Sequence, residues 1–130
     1  MARAYGIRRR VFIEEQHVPE EIELDADDAL AFHALATLDG NAIGCGRMLD
    51  HGDGEVKIGR MAVVPEFRGT GVGRDILRFL IDRARARGLR KAILHAQLTA
   101  EGFYLKEGFN PLGEVFDEAG IAHRKMEKLL

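Results

Sequence analysis

Residues 66–77 read "EFRGTGVGRDIL", with Gly69, Gly71 and Gly73 at alternate positions between Arg68 and Arg74. An apolar run of strand character precedes the stretch, and a run of helical spacing follows it. Such a turn lets backbone N–H groups face an anion at a helix start, where the dipole favours negative charge. Arg68 and Arg74 can add charge-assisted contacts to a phosphate. Two common nucleotide fingerprints fail here. A dinucleotide turn needs G-x-G-x-x-G, and position 74 is Arg. A P-loop needs Lys-Ser/Thr after its last glycine, which is absent. On this stretch alone, an anion site and a plain connecting turn both fit.

The elements that must position the turn follow from periodicity and punctuation. Ala4, Ile7, Val11 and Phe12 share one helical face and predict a helix over about residues 4–16. Pro19 and the acids from Glu20 to Asp28 then break the pattern and predict a loop. "AFHALATL" predicts a strand, and Asp39-Gly40 a hairpin turn into a second strand over about 41–49. Gly44 and Gly46 inside that strand signal a bulge or a close backbone approach by a partner. "EVKIGRMAVV" predicts a third strand, stopped by Pro65. The helix after the glycine turn should run over about 71–87, burying Ile76, Leu77, Leu80, Ile81 and Ala84, with Gly88 as its cap. "KAILHA" predicts a strand, "TAEGFYLKEG" a short helix, and "NPLGEVF" and "IAHRKMEKL" two more strands. Strands on both sides of a long amphipathic helix predict an α+β fold, an α/β sandwich with a mixed sheet.

Bulk properties narrow the function classes. The 130 residues fit one domain over 1–130, and 46% apolar with 31% charged residues is a globular balance. A net charge of −2 gives no overall basic field for nucleic acid. No stretch reaches the roughly 18 apolar residues of a membrane span, and the N-terminus lacks a signal-peptide core. One cysteine, Cys45, excludes an internal disulfide. A cytoplasmic protein without membrane attachment is expected. His17, His33, His51 and His123 have no metal-like spacing, so no metal is expected.

The wider context of the turn points further. "MAVVPEFRGTGVGRDIL" resembles the coenzyme A-binding motif of the GNAT superfamily of N-acetyltransferases, (Gln/Arg)-x-x-Gly-x-(Gly/Ala) after a strand. Here the motif is Arg68-Gly69-Thr70-Gly71-Val72-Gly73. "HAQLTAEGFYLKEGF" resembles the family's second signature, in the family's order and at a usual spacing. The resemblance covers nearly the whole chain. "RRRVFIEEQHVPEEIELD" and "GEVFDEAGIAHRKME" are similar to a bacterial branch, the YjcF/ElaA-like GNAT proteins. The helix "RRRVFIEEQ" also resembles acyl-homoserine-lactone synthases, which share the fold. Family members usually open with a strand before the first helix, and this chain starts almost inside that helix.

The resemblance implies a GNAT fold, a mostly antiparallel mixed sheet flanked by helices and splayed at the CoA-binding strand. It implies transfer of an acetyl group from acetyl-CoA to an amine acceptor, small molecule or peptide. The N–H groups of Gly69, Thr70, Gly71, Val72, Gly73 and Arg74 would cradle the pyrophosphate, with Arg68 beside them. Met61, Ala62 and Val63 would hydrogen-bond the pantetheine arm as an added strand does, and one of their amides would polarise the thioester carbonyl. Gln97 matches the position, often Asn, that bonds the arm. Tyr104 matches the tyrosine that protonates the departing thiolate. His95, on the strand "KAILHA", is a candidate base, as are Glu14, Glu15 and Glu55. A satisfied core histidine and solvated helix-end carboxylates are the plainer readings of these residues. Glu14 and Glu15 end the first helix near where the family admits acceptor. Arg47 would suit an acidic acceptor, whereas the acidic loop would suit a cationic one. Cys45 lacks a neighbouring base and reads as a small buried hydrophobe. Two alternatives stand beside acetyl transfer: transfer of longer acyl groups, and a CoA-binding regulatory protein without turnover. A homodimer is compatible, since family members often pair.

Overall fold

The computed structural model describes residues 2–16, 28 and 30–130. A first helix, α1 (Ala2–Arg8), continues directly into a π-helical turn, Arg9–Glu15. Six strands follow: β1 (Phe32–Leu38), β2 (Asn41–Gly52), β3 (Glu55–Val63), β4 (Lys91–Gln97), β5 (Asn110–Glu118) and β6 (Ile121–Leu129). Between β3 and β4 lies the long helix α2 (Val72–Ala86), and between β4 and β5 the short helix α3 (Glu101–Lys106). The sheet order is β1-β2-β3-β4-β6-β5, antiparallel except for the β3–β4 pair. This is the expected α+β sandwich. Among the described residues, the sheet begins at β1 and no strand precedes α1.

The hairpins form where the turn chemistry requires. Asp39 and Gly40 both have positive φ, the pairing a two-residue turn needs to match strand twist. β2 runs on past the expected Leu49 to Gly52, because β3 continues to pair with it to Glu55. The first helix departs from expectation in kind. Its first turns are α, but Arg9–Glu15 widens to i→i+5 bonding, a geometry often found at functional sites.

The two faces of the sheet differ. On one, Leu77, Leu80, Ile81 and Ala84 of α2 pack against Met48, Val56, Ile58, Ala92 and Leu94. Burying each Leu or Ile there stabilises the fold by roughly 1.5–3 kcal/mol. The approach is close enough to explain Gly44 and Gly46. A Cβ on Gly46 would lie 2.6 Å from Met61 Sδ and 3.0 Å from Ile76 Cγ2. The partner that needs these glycines is α2. On the other face, α1 covers Ile43, Cys45 and Ala62. α1 packs mainly on β2 and β3, so the same face of β4, β6 and β5 forms the floor of a cleft.

Candidate functional site

The cleft starts where β3 and β4 separate. Their parallel pairing joins Glu55–Ile58 to Lys91–Leu94 and then stops, although β3 continues to Val63 and β4 to Gln97. On its other side β3 stays paired to β2 through Val63, with a bulge between the Arg47–Gly59 and Cys45–Ala62 pairs. Arg60 forms that bulge with φ 52°, a strained value for a side-chain-bearing residue. The bulge flips side-chain parity: Val56 and Ile58 face α2, whereas Ala62 faces α1. It also turns the backbone of Gly59–Val63 away from β4. Main-chain groups of Met61, Ala62 and Val63 therefore border an open groove that an extended polar chain can join as a strand would. The cleft measures about 520 Å³ and opens between β3, β4, the π-helical turn and the β5–β6 hairpin.

At the rim lies the glycine turn. Gly69 and Gly71 have φ of 78° and 91°, so glycine is required at both. Gly73 is different: a Cβ there would meet Phe103 and Val63 at an ordinary 3.7 Å. Gly71 is the N-cap of α2, and the first capped bond runs from the Asp75 N–H to the Gly71 carbonyl at 3.0 Å. The N–H groups of Val72, Gly73 and Arg74 thus lack an intrahelical acceptor and point out of the helix start. Thr70 Oγ donates to the Phe67 carbonyl and braces the turn. Arg74 pairs with Asp75 at 3.6 Å. Arg68 is committed within the protein: Nε donates to the Val63 carbonyl at 3.0 Å, and both terminal nitrogens donate to Glu15 at 2.8 Å. The Arg68 hydrogen bond holds the Glu15 carboxyl below its usual range.

Tyr104 and Gln97 both line the cleft. Tyr104 is on α3, packed edge-on to Phe103 and Phe109 at 5.0 and 5.9 Å. Its hydroxyl has no hydrogen-bond partner among the described residues, and the residue lines the cleft. Burial pushes the phenol up to about 12, so the group is a neutral donor. The Gln97 amide donates to Gln16 Oε1 at 2.9 Å, linking β4 to the end of the π-helical turn. Tyr104 is itself a buried member of the core, and half-buried Phe103 packs against it, so the pair does not divide into one core ring and one free ring as expected.

The other candidates separate. His95 lines the cleft, and its Nδ1 lies 3.0 Å from Glu118 Oε1. His123, from β6, holds Nδ1 on the Ile121 carbonyl at 2.7 Å and faces Glu118 Oε2 with Nε2 at 3.6 Å. Burial would raise the Glu118 carboxyl, but the His95 hydrogen bond and the charges of His95, His123 and Lys57 outweigh it and hold it low. Glu118 and His123 were not among the expected site residues. The signal for them is strand register: Gln97 pairs with His123, and His123 with Phe116. Arg47 lines the cleft and donates to Asp28 Oδ1 at 2.9 Å, as does buried Arg8 at 2.7 Å. Glu15 is at the rim with Arg68, whereas Glu55 is at the far end of β3, 3.5 Å from Lys91. The Glu14 side chain and the loop acids before Asp28 lie outside the described residues. Cys45 is buried beneath α1, out of reach of an acyl group. Among the described residues no three His, Cys, Asp or Glu side chains converge as a metal site, and no helix is long and apolar enough to cross a membrane.

Comparison with known proteins agrees with this geometry. A family model described as "Acetyltransferase (GNAT) domain" matches residues 3–130. The uncharacterized N-acetyltransferase YjcF of Bacillus subtilis (strain 168) is 36% identical over 126 residues, covering 96% of this chain and 89% of YjcF. The crystal structure of Escherichia coli ElaA superposes with a TM-score of 0.86 at 27% identity, over 98% of this chain and 88% of ElaA. An acyl-CoA N-acyltransferase from Pseudomonas aeruginosa superposes with a TM-score of 0.85 at 28% identity, over 96% of this chain and 87% of that one.

Proposed function

Because this chain belongs to the GNAT acetyltransferase family, we propose that it moves the acetyl group of acetyl-CoA directly onto a primary amine. The observation that carries the reading is the parting of β3 from β4 beside a helix start with free amides. The N–H groups from Gly69 to Arg74 would take the pyrophosphate, with no Cβ at Gly69 or Gly71 in the way. The pantetheine arm would lie along Met61–Val63, with Gln97 turning from Gln16 to bond it. A neutral amine attacks the thioester carbon, forming the C–N bond, and a Met61–Val63 amide stabilises the oxyanion. The amine nitrogen gives its second proton to solvent, the C–S bond breaks, and the departing thiolate accepts a hydrogen bond from the Tyr104 hydroxyl. A phenol near 12 donates uphill to a thiol near 8.5 by about 5 kcal/mol. Tyr104 therefore acts chiefly by a strong hydrogen bond to the developing thiolate until the sulfur recovers a proton.

The bidentate Arg68–Glu15 pair supports a backbone role for the turn, with Arg68 holding its shape. Arg74 is free to swing from exposed Asp75 toward phosphate. A longer acyl group is the second reading, favoured by Val11 and Phe12, which give the cleft an apolar wall. Melting temperatures with CoA, acetyl-CoA, NAD and ATP test the central claim. A ligand at 100 times its Kd stabilises by about 2.7 kcal/mol, roughly 10 °C for a chain of this size. CoA and acetyl-CoA should raise the midpoint, and NAD and ATP should not. No shift with either CoA species at millimolar concentration refutes the proposal. CoA thiol release with acetyl-, butyryl- and octanoyl-CoA across an amine panel then separates the two acyl readings.

A further inference from the structure

The hydrogen-bonded cluster on the cleft floor has a direction. β4, β6 and β5 bring His95, His123, Phe116 and Glu118 onto one face of the sheet, through the pairs Gln97–His123, Phe116–His123 and Glu118–Ile121. The Phe116 ring contacts both imidazoles, edge-on to His95 at 5.0 Å and roughly parallel to His123 at 6.0 Å. The Glu118 carboxylate reaches both from the hairpin end, Oε1 to His95 Nδ1 at 3.0 Å and Oε2 to His123 Nε2 at 3.6 Å. A carboxylate only accepts, so the His95 proton must sit on Nδ1. The bare nitrogen of neutral His95 is then Nε2, at the opposite side of the ring. His95 is partly exposed and lines the cleft, whereas His123 is buried with Nδ1 fixed on a carbonyl.

We propose that Glu118 is a positioning residue that fixes the tautomer and plane of His95, so that His95 Nε2 takes the proton of the incoming ammonium. The proposal rests on the acetyltransferase reading for its substrate but not for its geometry. In the step, an ammonium N–H bond breaks and its electron pair stays on nitrogen as the nucleophilic lone pair. The proton forms an Nε2–H bond, and the resulting imidazolium donates to Glu118 through Nδ1. Glu118 itself stays ionised, since its interactions with both imidazoles favour the charged form. The arrangement follows the orienting logic of a carboxylate–histidine pair in nucleophilic enzymes, here serving an external amine. Ala119, at φ 54° in the hairpin turn next to Glu118, shows the backbone strained where this carboxylate is set.

The test uses the full chain. Nitrogen-15 NMR of the histidine rings reads the tautomer of neutral His95 in the free protein and needs no acceptor. Wild type should be almost wholly Nδ1–H, Glu118→Gln should release the ring to a mixture of tautomers, and Glu118→Asp should restore part of the preference. An Nε2–H ring in wild type overturns the proposal without any variant. The second arm measures CoA thiol release from acetyl-CoA with the fastest amine of a panel of benzylamine, lysine and spermidine. Glu118→Gln should lower kcat about 10–100-fold with KM for acetyl-CoA within two-fold of wild type. Unchanged kcat, or a loss confined to KM, also overturns it. If the tautomers behave as expected but no amine turns over, the acetyltransferase reading fails and the Glu118–His95 pair stands. If amines turn over but the tautomer is wrong, the acetyltransferase reading stands and the role given to Glu118 falls.

Discussion

Replacing Tyr104 by Phe removes one hydroxyl from a ring that is 8% exposed and otherwise packed on Phe103 and Phe109. The hydroxyl makes no hydrogen bond to the described residues, so the fold loses none, and stability at neutral pH should change by less than about 0.5 kcal/mol. The reaction should lose more. A hydrogen bond to a charged group contributes about 1.5–3 kcal/mol, and a developing thiolate is such a group, so kcat should fall roughly 10–150-fold. KM for acetyl-CoA should barely move, because the bond strengthens only as the sulfur gains charge. Alkaline pH gives an independent reading. The unfolded phenol ionises near 10 and the folded one near 12. Between those values the folded chain keeps a proton that the unfolded chain has released. The phenol's contribution is therefore whole below pH 10 and declines as pH rises through 12, by about 3 kcal/mol in all. Tyr104→Phe should lack that decline when urea unfolding is followed from pH 9 to 12. CoA thiol release gives the rate. A variant with kcat within two-fold of wild type refutes the role assigned to Tyr104. A loss of several degrees in Tm at pH 7 shows that the hydroxyl is structural.

Four further outcomes follow from the packing. Gly46→Ala should destabilise by about 1–3 kcal/mol through its contacts with Met61, Ile76 and Leu80, lowering Tm by roughly 4–11 °C. Gly59→Ala, with nothing within 4 Å of the added carbon, should melt within a few degrees of wild type. Asp28→Asn takes the carboxylate from Arg8, which is 1% exposed, and should cost about 3 kcal/mol in urea unfolding. Burial raises the Asp28 carboxyl, but Arg8 and Arg47 reverse this and hold it below its usual value. Wild type should therefore lose this stabilisation as pH falls through that depressed value, and the Asn variant should show a weaker acid dependence. Ala119→Gly relieves a φ of 54° and should raise Tm by up to a few degrees, an increase of about 1 kcal/mol or less.

The sheet and the long helix were legible because their signals are local. Asp39-Gly40 can hardly be anything but a tight turn, and the stripe from Ile76 to Ala84 has one face to bury. The glycine turn was legible as a turn for the same reason, and Gly69 and Gly71 do take positive φ there. What escaped depends on pairing between distant segments. The π-helical widening at Arg9–Glu15 leaves apolar spacing almost unchanged, so Val11 and Phe12 read as ordinary helix. The Arg60 bulge shows only when β3 is set against β2. Gly44 and Gly46 signalled a close approach without naming what approaches. Glu118 follows Asp117 into a turn and reads as a solvated acid. Only the register of β4, β6 and β5 brings it to His95.

The same register bears on how the two ends of the site communicate. Three polar ties hold the end of the π-helical turn to the side of the cleft we propose for the cofactor: Arg10 to Glu66, Glu15 to Arg68, and Gln16 to Gln97. The first two are exposed pairs, which contribute only about 0–1 kcal/mol each. The third is a neutral amide pair of similar size. Their sum is small beside what a pyrophosphate gains from several helix-start amides and a pantetheine arm gains along β3. A bound cofactor can therefore displace any one tie at little cost, and Gln97 is the one it must turn if that amide is to bond the arm. Releasing Gln16 would loosen the helix end next to the wall formed by Val11 and Phe12. On the proposed acetyl transfer, this end of the cleft would be most restrained with the cofactor absent, and the expected order is cofactor before amine.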